Sequence, residues 1–245
     1  MSLTTETHAI VLERRPLREH DRRIVVFTKE LGKLELIAKG TQKISSKLAG
    51  SLEPLSEIRL HIARGRFDRV IGSVMLHSLA GLRNNLDAFA AANFLAQVVT
   101  RLTQPNHPDL ELFTSLRQSL LDMDAQPEQA SPIVRRFLWK LFTLLGLQPR
   151  LDICARCGKD LGQESYYSAD AGGALCAKCA KEQVGAFALP DDVRQQLLAL
   201  HTLDTEVIPR EANDLVAKVI EQTLRVQLGA KLPTEYFWVQ MRKVK

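Results

Sequence analysis

Apolar positions in the first 80 residues recur on a short period. Ala9-Ile10-Val11-Leu12 and Ile24-Val25-Val26-Phe27-Thr28 are β-prone runs. Lys29-Glu30-Leu31-Gly32 reads as a hairpin turn, and Lys33-Leu34-Glu35-Leu36-Ile37-Ala38 then alternates as a half-buried strand does. Ile58-Arg59-Leu60-His61-Ile62 alternates again, and Val70 to Leu76 supplies a fifth strand. Five short strands in so little chain predict a small closed barrel such as the OB-fold, with a strand-rich sandwich as the alternative.

From residue 84 the period lengthens to that of a helix. Asn84 or Asn85 caps a run with apolar positions Leu86, Phe89, Ala90, Phe94, Val98 and Leu102, and Pro105 and Pro108 interrupt it. Asp109 to Met123 gives a second helix. Ser131 is read as the cap of a third helix with Pro132 in its first turn; it carries Val134, Phe137, Leu138, Leu141, Leu144 and Leu145 and stops at Gly146. Asp191 to His201 and Glu211 to Leu228 complete the set, with Asp191-Asp192 supporting a helix N-terminus. The expected fold class is α+β: an N-terminal five-stranded OB-fold barrel followed by an all-α body with an inserted cysteine module. The divisions are 1–80 for the barrel, 81–150 for the first helical part, 151–182 for the module and 183–245 for the second helical part.

The module carries the strongest chemical signal. Cys154-Ala-Arg-Cys157 and Cys176-Ala-Lys-Cys179 are matched Cys-x-x-Cys pairs, and these four are the chain's whole complement of cysteine. That spacing predicts one structural zinc held by Cys154, Cys157, Cys176 and Cys179. Gly158 gives the first turn its backbone freedom. Four thiolates around a divalent zinc leave a charge of about −2, which the cationic Arg156 and Lys178 suit. Two disulfides and a redox pair are the alternatives; without an export signal the thiols are expected to stay reduced. With all four positions filled by sulfur, such a metal holds structure and does no chemistry.

Composition narrows the setting. At 245 residues, 45% apolar and 25% charged, the chain reads as soluble. No apolar run approaches the roughly 20 residues that span a bilayer, and Met1-Ser2-Leu3-Thr4-Thr5-Glu6 lacks the features of a signal peptide. A cytoplasmic location without membrane contact is expected. The charge is unevenly spread: residues 1–80 hold 14 Lys/Arg against 9 Asp/Glu, whereas the remainder holds 19 of each. The positive excess predicts an anionic partner for the barrel. Arg14, Arg15, Lys39, Lys43, Lys47, Arg64 and Arg66 are the candidate contacts to a phosphate backbone, such as that of single- or double-stranded DNA. Residues 1–80 offer only Phe27 and Phe67 as aromatic platforms. Phe27 is read as core, so the binding expected is dominated by phosphates and tolerant of sequence. Phosphate loops, dinucleotide turns and nucleophile elbows are absent, and none of the six histidines lies near another at metal-binding spacing. A non-enzyme is expected. A zinc-ribbon RNA-binding or transcription-associated factor is the rival, and a hydrolase with a structural zinc is a third class.

The layout resembles the RecO family of bacterial recombination mediators. The resemblance rests on Leu31-Gly32-Lys33-Leu34, Ala38-Lys39-Gly40, Lys43, Lys47-Leu48-Ala49-Gly50, Leu52-Glu53-Pro54-Leu55, Arg135-Arg136-Phe137, Leu144-Leu145-Gly146 and the four cysteines. It implies an N-terminal OB-fold, a helical body, DNA binding and strand annealing. It also implies work with RecR to load RecA onto strands coated by single-strand-binding protein (SSB). RecO-like proteins bind the acidic C-terminal tail of SSB, and the resemblance points to Arg135, Arg136 and Lys140, with Phe137, Trp139 and Leu141 as nearby apolar surface. Where family members often carry a basic stretch after the last glycine turn, this chain has Lys231-Leu232-Pro233-Thr234-Glu235-Tyr236-Phe237, so that stretch's binding role is not carried over.

Overall fold

Five strands come first in the computed structural model, which describes residues 4–17, 19–41, 48–202, 214–229 and 232. They are β1 Thr4–Pro16, β2 Arg22–Thr28, β3 Gly32–Ala38, β4 Glu57–Ala63 and β5 Arg69–His77. They close in the order β1-β2-β3-β5-β4. The pairing is antiparallel throughout except between β3 and β5, which meet in parallel at Ile37 and Arg69.

The alternation read from the sequence fills the interior. Ala9, Val11, Ile24, Val26, Leu34, Leu36, Ala38, Ile58, Leu60, Ile62 and Val70 form one buried cluster, joined by Leu52 from the β3–β4 connection. β1 and β2 are buried on their other face too: Ile10, Leu12 and Phe27 are inaccessible. Helix α2 (Leu86–Leu102) packs against β1, and Phe113 of α3 (Leu110–Ala125) lies 6.3 Å from Phe27, ring centre to ring centre. Burial on both faces explains why these segments read as unbroken apolar runs. A short α1 (Ala80–Arg83) precedes α2. Asn85 and Asp109 cap α2 and α3 by accepting from the backbone N–H groups of Ala88 and Leu112.

Lys33 ties the barrel to α2. Its Nζ donates to the carbonyl of Thr100 at 2.6 Å and to that of Thr103, at the end where the helix has unsatisfied carbonyls. Burial lowers its pKa.

Compact packing divides the chain into one unit drawn from Met1–Ser131 with Leu232, and another from Pro132–Lys231. The second contains α4 (Ala130–Leu144) from Pro132 onward, α5 (Ala177–Ala180), α6 (Asp191–Thr202) and α7 (Asp214–Leu228). It also holds a sheet that hydrophobic periodicity did not predict: β6 (Ser165–Ser168), flanked by β7 (Gly173–Cys176) and β8 (Phe187–Ala188). α4 begins at Ala130, directly after a 3-10 turn over Pro127–Gln129. Ser131 therefore lies inside the first turn and is not its cap, while Pro132 lies in the first turn as expected, a position that proline tolerates. Glu211, the expected start of the last helix, lies outside the described residues. Among the described residues, no helix is long and apolar enough to cross a membrane.

Candidate metal centre and cationic barrel end

Each cysteine pair is delivered by its own turn. Cys154 and Cys157 sit on a knuckle closed by the Gly158 N–H donating to the Cys154 carbonyl at 2.9 Å, with Gly158 at φ 70°. Cys176 ends β7 and precedes α5, whose Cys179 lies one turn further on. A backbone seam holds the two halves in register. Arg150 N–H donates to Gly172 (2.9 Å), and Ala174 N–H donates back to Arg150 (2.7 Å). The Ala155 N–H donates to the Ala174 carbonyl at 2.8 Å. Gly173, at φ 151°, lies so close to this seam that a Cβ there would sit 2.0 Å from the Arg150 carbonyl oxygen.

The four sulfurs all lie within 4.8 Å of one another, and Cys157 and Cys176 are 4.0 Å apart. All four are free cysteines; a disulfide requires roughly 2 Å between sulfurs. Four sulfurs at about 2.3 Å from a tetrahedral zinc stand roughly 3.8 Å apart, so a small contraction fits this cluster to a metal. The electrostatics point the same way. Burial pushes the Cys154 thiol up, but hydrogen bonds from the backbone of Cys176, Cys157 and Arg156 outweigh it and hold the thiol down to about 6. Cys179 is pushed up to about 12 by desolvation and by its three neighbouring cysteines. Four thiols this close cannot all ionise without a cation among them, and a divalent metal would supply one. Arg156 forms an ion pair with Glu182 at 3.1 Å on the outer surface.

The module is fastened to α7. Tyr167 of β6 is fully buried, and its hydroxyl meets Thr223 Oγ1 at 2.6 Å. Thr223 donates its own proton to the Val219 carbonyl (2.7 Å), so Tyr167 is the donor to Thr223. Lys218 lies over the Phe187 ring at 4.0 Å, and Phe187 packs on Tyr167.

At the barrel, three connections meet at one end. Register places Arg15 opposite Arg23, Arg23 opposite Ile37 and Ile37 opposite Arg69, a single row across β1, β2, β3 and β5. Just beyond the row, Gly40 N–H donates to the Asp21 carboxylate at 2.9 Å, and Ile37 N–H donates to the Asp68 carbonyl at 3.0 Å. The β1–β2 tip, the end of β3 and the β4–β5 turn are thereby joined. Arg15, Lys39, Arg64 and Arg66 share this end.

These cations are not equivalent. Arg14 is half-buried in an ion pair with Glu53, Arg15 pairs with Glu13, Arg23 with Glu35 at 3.2 Å and Arg64 with Asp68 at 2.9 Å. Lys39, Arg66 and Arg69 are exposed and have no acidic partner among the described residues. Arg69 stands with Arg64 and Arg66 around the Gly65 turn in the sequence but is not among the candidate DNA contacts chosen from it; its place in the row shows only in the strand register. Lys43 and Lys47 lie outside the described residues. On α4, Arg135, Arg136 and Lys140 are half-buried, while Phe137, Trp139 and Leu141 are inaccessible. The apolar surface expected beside the three cations is therefore core.

A closed five-stranded barrel with a cationic end, together with helices and a four-thiol cluster placed to hold a metal ion, defines a class of mixed α+β, cysteine-centred proteins. Residues 1–74 match the family described as Recombination protein O N terminal, and residues 83–235 match Recombination protein O C terminal. The chain belongs to the RecO family. It is 33% identical over 189 residues to a DNA repair protein RecO of Synechococcus sp. (strain JA-3-3Ab), covering 72% of this chain and 63% of that one, just under two thirds of its length. It is 29% identical over 235 residues to that of Myxococcus xanthus (strain DK1622), covering 95% and 96% of the two chains. The Rubrobacter xylanophilus (strain DSM 9941 / JCM 11954 / NBRC 16129 / PRD-1) protein of the same name is 34% identical over 175 residues, covering 71% and 70%.

Proposed function

We propose that this protein is a non-catalytic mediator of recombinational DNA repair. It binds DNA at the cationic barrel end, anneals complementary single strands and, with RecR, helps load RecA onto SSB-coated strands. The observation that carries the reading is family membership along both halves of the chain, together with the meeting of three cationic connections at one end of the barrel. The barrel is read as an OB-fold, and the four-part division of the chain stands as part of this proposal. The protein works in the cytoplasm, at the nucleoid.

Annealing draws its free energy from base pairing. The protein contributes by neutralising phosphates on two strands, which lowers their repulsion and raises the encounter rate. Lys39, Arg66 and Arg69 are the exposed cations at this end for that work, and Lys43 and Lys47, outside the described residues, are proposed to join them. Arg14, Arg64 and Arg15 are ion-paired with Glu53, Asp68 and Glu13, which offset part of their charge, so they are the lesser contributors. Cys154, Cys157, Cys176 and Cys179 hold one zinc, which supplies the charge that lets four thiolates share the site and has no part in DNA chemistry. Arg135, Arg136 and Lys140 supply the carboxylate contacts to the SSB tail; the tail's apolar end meets residues other than Phe137, Trp139 and Leu141.

The test is annealing of complementary SSB-coated strands without nucleotide. The wild-type protein is expected to accelerate it, and a Lys39→Glu/Arg66→Glu/Arg69→Glu variant with an intact barrel by circular dichroism is expected to lose most of that acceleration. A wild-type protein that leaves the annealing rate unchanged overturns the reading.

A further inference from the structure

Phe67 sits where an aromatic side chain has no packing reason to be. It is 64% exposed, at the tip of the β4–β5 turn, whereas Phe27, the other aromatic of the barrel, is fully buried. The Arg66 guanidinium lies over its ring, 5.6 Å from the centroid. The turn that presents it is braced three ways. Gly65 N–H donates to the Asp68 carboxylate at 3.1 Å, Arg64 pairs with that carboxylate at 2.9 Å, and the Asp68 carbonyl accepts from Ile37 of β3. These bonds fix the turn beside the end of β3, where Lys39 emerges. The aromatic ring is thus set at the same barrel end as Lys39, Arg66 and Arg69, three exposed cations with no acidic partner among the described residues.

We propose that Phe67 is a base-stacking platform, which gives the barrel end a preference for unpaired strands over duplex. This rests on reading that end as a nucleic-acid surface and adds what phosphate contacts alone do not provide. Cations track the backbone of any strand, but a planar ring engages only a base whose face is free, as in single-stranded DNA. Arg66 contributes in the same geometry, since a guanidinium over a ring can exchange that contact for one with a stacked base or a phosphate. The braced turn holds the ring in place before the strand arrives, which limits the ordering cost of binding.

The experiment compares the full-length protein's affinity for an oligodeoxythymidylate and for an abasic strand with the same number of phosphates. The wild type is expected to bind the base-bearing strand more tightly by about fivefold to 150-fold, the range for one stacked base. Phe67→Ala should bind both strands alike, near the wild-type affinity for the abasic strand. Phe67→Trp should restore the preference, whereas Phe67→Leu, with apolar area and no aromatic face, should not. A Phe67→Ala protein that keeps the full preference overturns the proposal. So does a wild type that binds both strands equally with a steep salt dependence, although the nucleic-acid surface then stands. A wild type that binds neither strand brings down the surface itself.

Discussion

Replacing Tyr167 with phenylalanine removes one hydroxyl and leaves the ring that fills the space between β6 and α7. Thr223 keeps its bond to the Val219 carbonyl, so what disappears is the single hydrogen bond that Tyr167 donates. At neutral pH that should cost about 1 kcal/mol. Alkaline pH reverses the order. Burial pushes the Tyr167 phenol up to about 12 from 10.0. The unfolded chain releases this proton through pH 10 and the folded chain does not. Wild-type stability is therefore fully present below pH 10, falls as pH rises, and levels off above 12. The loss is about 1 kcal/mol by pH 11 and roughly 3 kcal/mol in all. Tyr167→Phe has no such proton to lose. Urea unfolding of both proteins at pH 8 and pH 11, followed by a probe of this unit, should show the wild type ahead by about 1 kcal/mol at the lower pH and level or behind at the higher. A variant that loses as much stability as the wild type between these pH values refutes a buried, protonated Tyr167.

Other outcomes follow from the metal module and from α4. Purified protein should carry one zinc per chain. Cys154→Ser should lose it and expose the amides of residues 151–182 to hydrogen exchange while the barrel stays protected, because so small a module lacks the core to hold itself. Gly173→Ala should weaken metal retention by well over 1 kcal/mol, since its Cβ meets the Arg150 carbonyl at 2.0 Å and no side chain can move aside; competition with a chelator measures this. Arg136→Ala should weaken binding of an SSB tail peptide by about 1 to 3 kcal/mol in fluorescence anisotropy and leave naked-DNA affinity nearly intact.

The barrel was legible because its inward residues alternate and because β1 and β2 are apolar on both faces. What the alternation missed has a physical cause. Thr4 to His8 extend β1 by pairing with β4, and Glu13 to Pro16 extend it along β2, but these residues bury little apolar surface and so leave no hydrophobic signature. β6 and β7 are four residues each, and their positions follow from the Arg150 seam and the cysteine pairs, not from periodicity. The four-thiol cluster was legible from spacing alone, since each Cys-x-x-Cys turn brings its two sulfurs together locally. The cationic end was only half legible. Runs of arginine and lysine showed in the sequence, but the parallel pairing of Ile37 with Arg69 that joins them did not. Nor did the partners Glu13, Glu53 and Asp68, which separate cations held by the barrel from those left for a ligand. On α4, apolar spacing pointed to core, and Phe137, Trp139 and Leu141 are in it.

The most direct measurement is the salt dependence of single-strand binding by matched charge variants. Reversing Lys39, Arg66 and Arg69 together should weaken binding and flatten the log–log salt slope by roughly 0.7 for each phosphate that is no longer neutralised, about 2 in all. Arg14→Gln, at a cation already paired with Glu53, should leave the slope unchanged. A triple variant with wild-type affinity and slope would contradict the account, because the barrel end would then not be where this protein meets DNA.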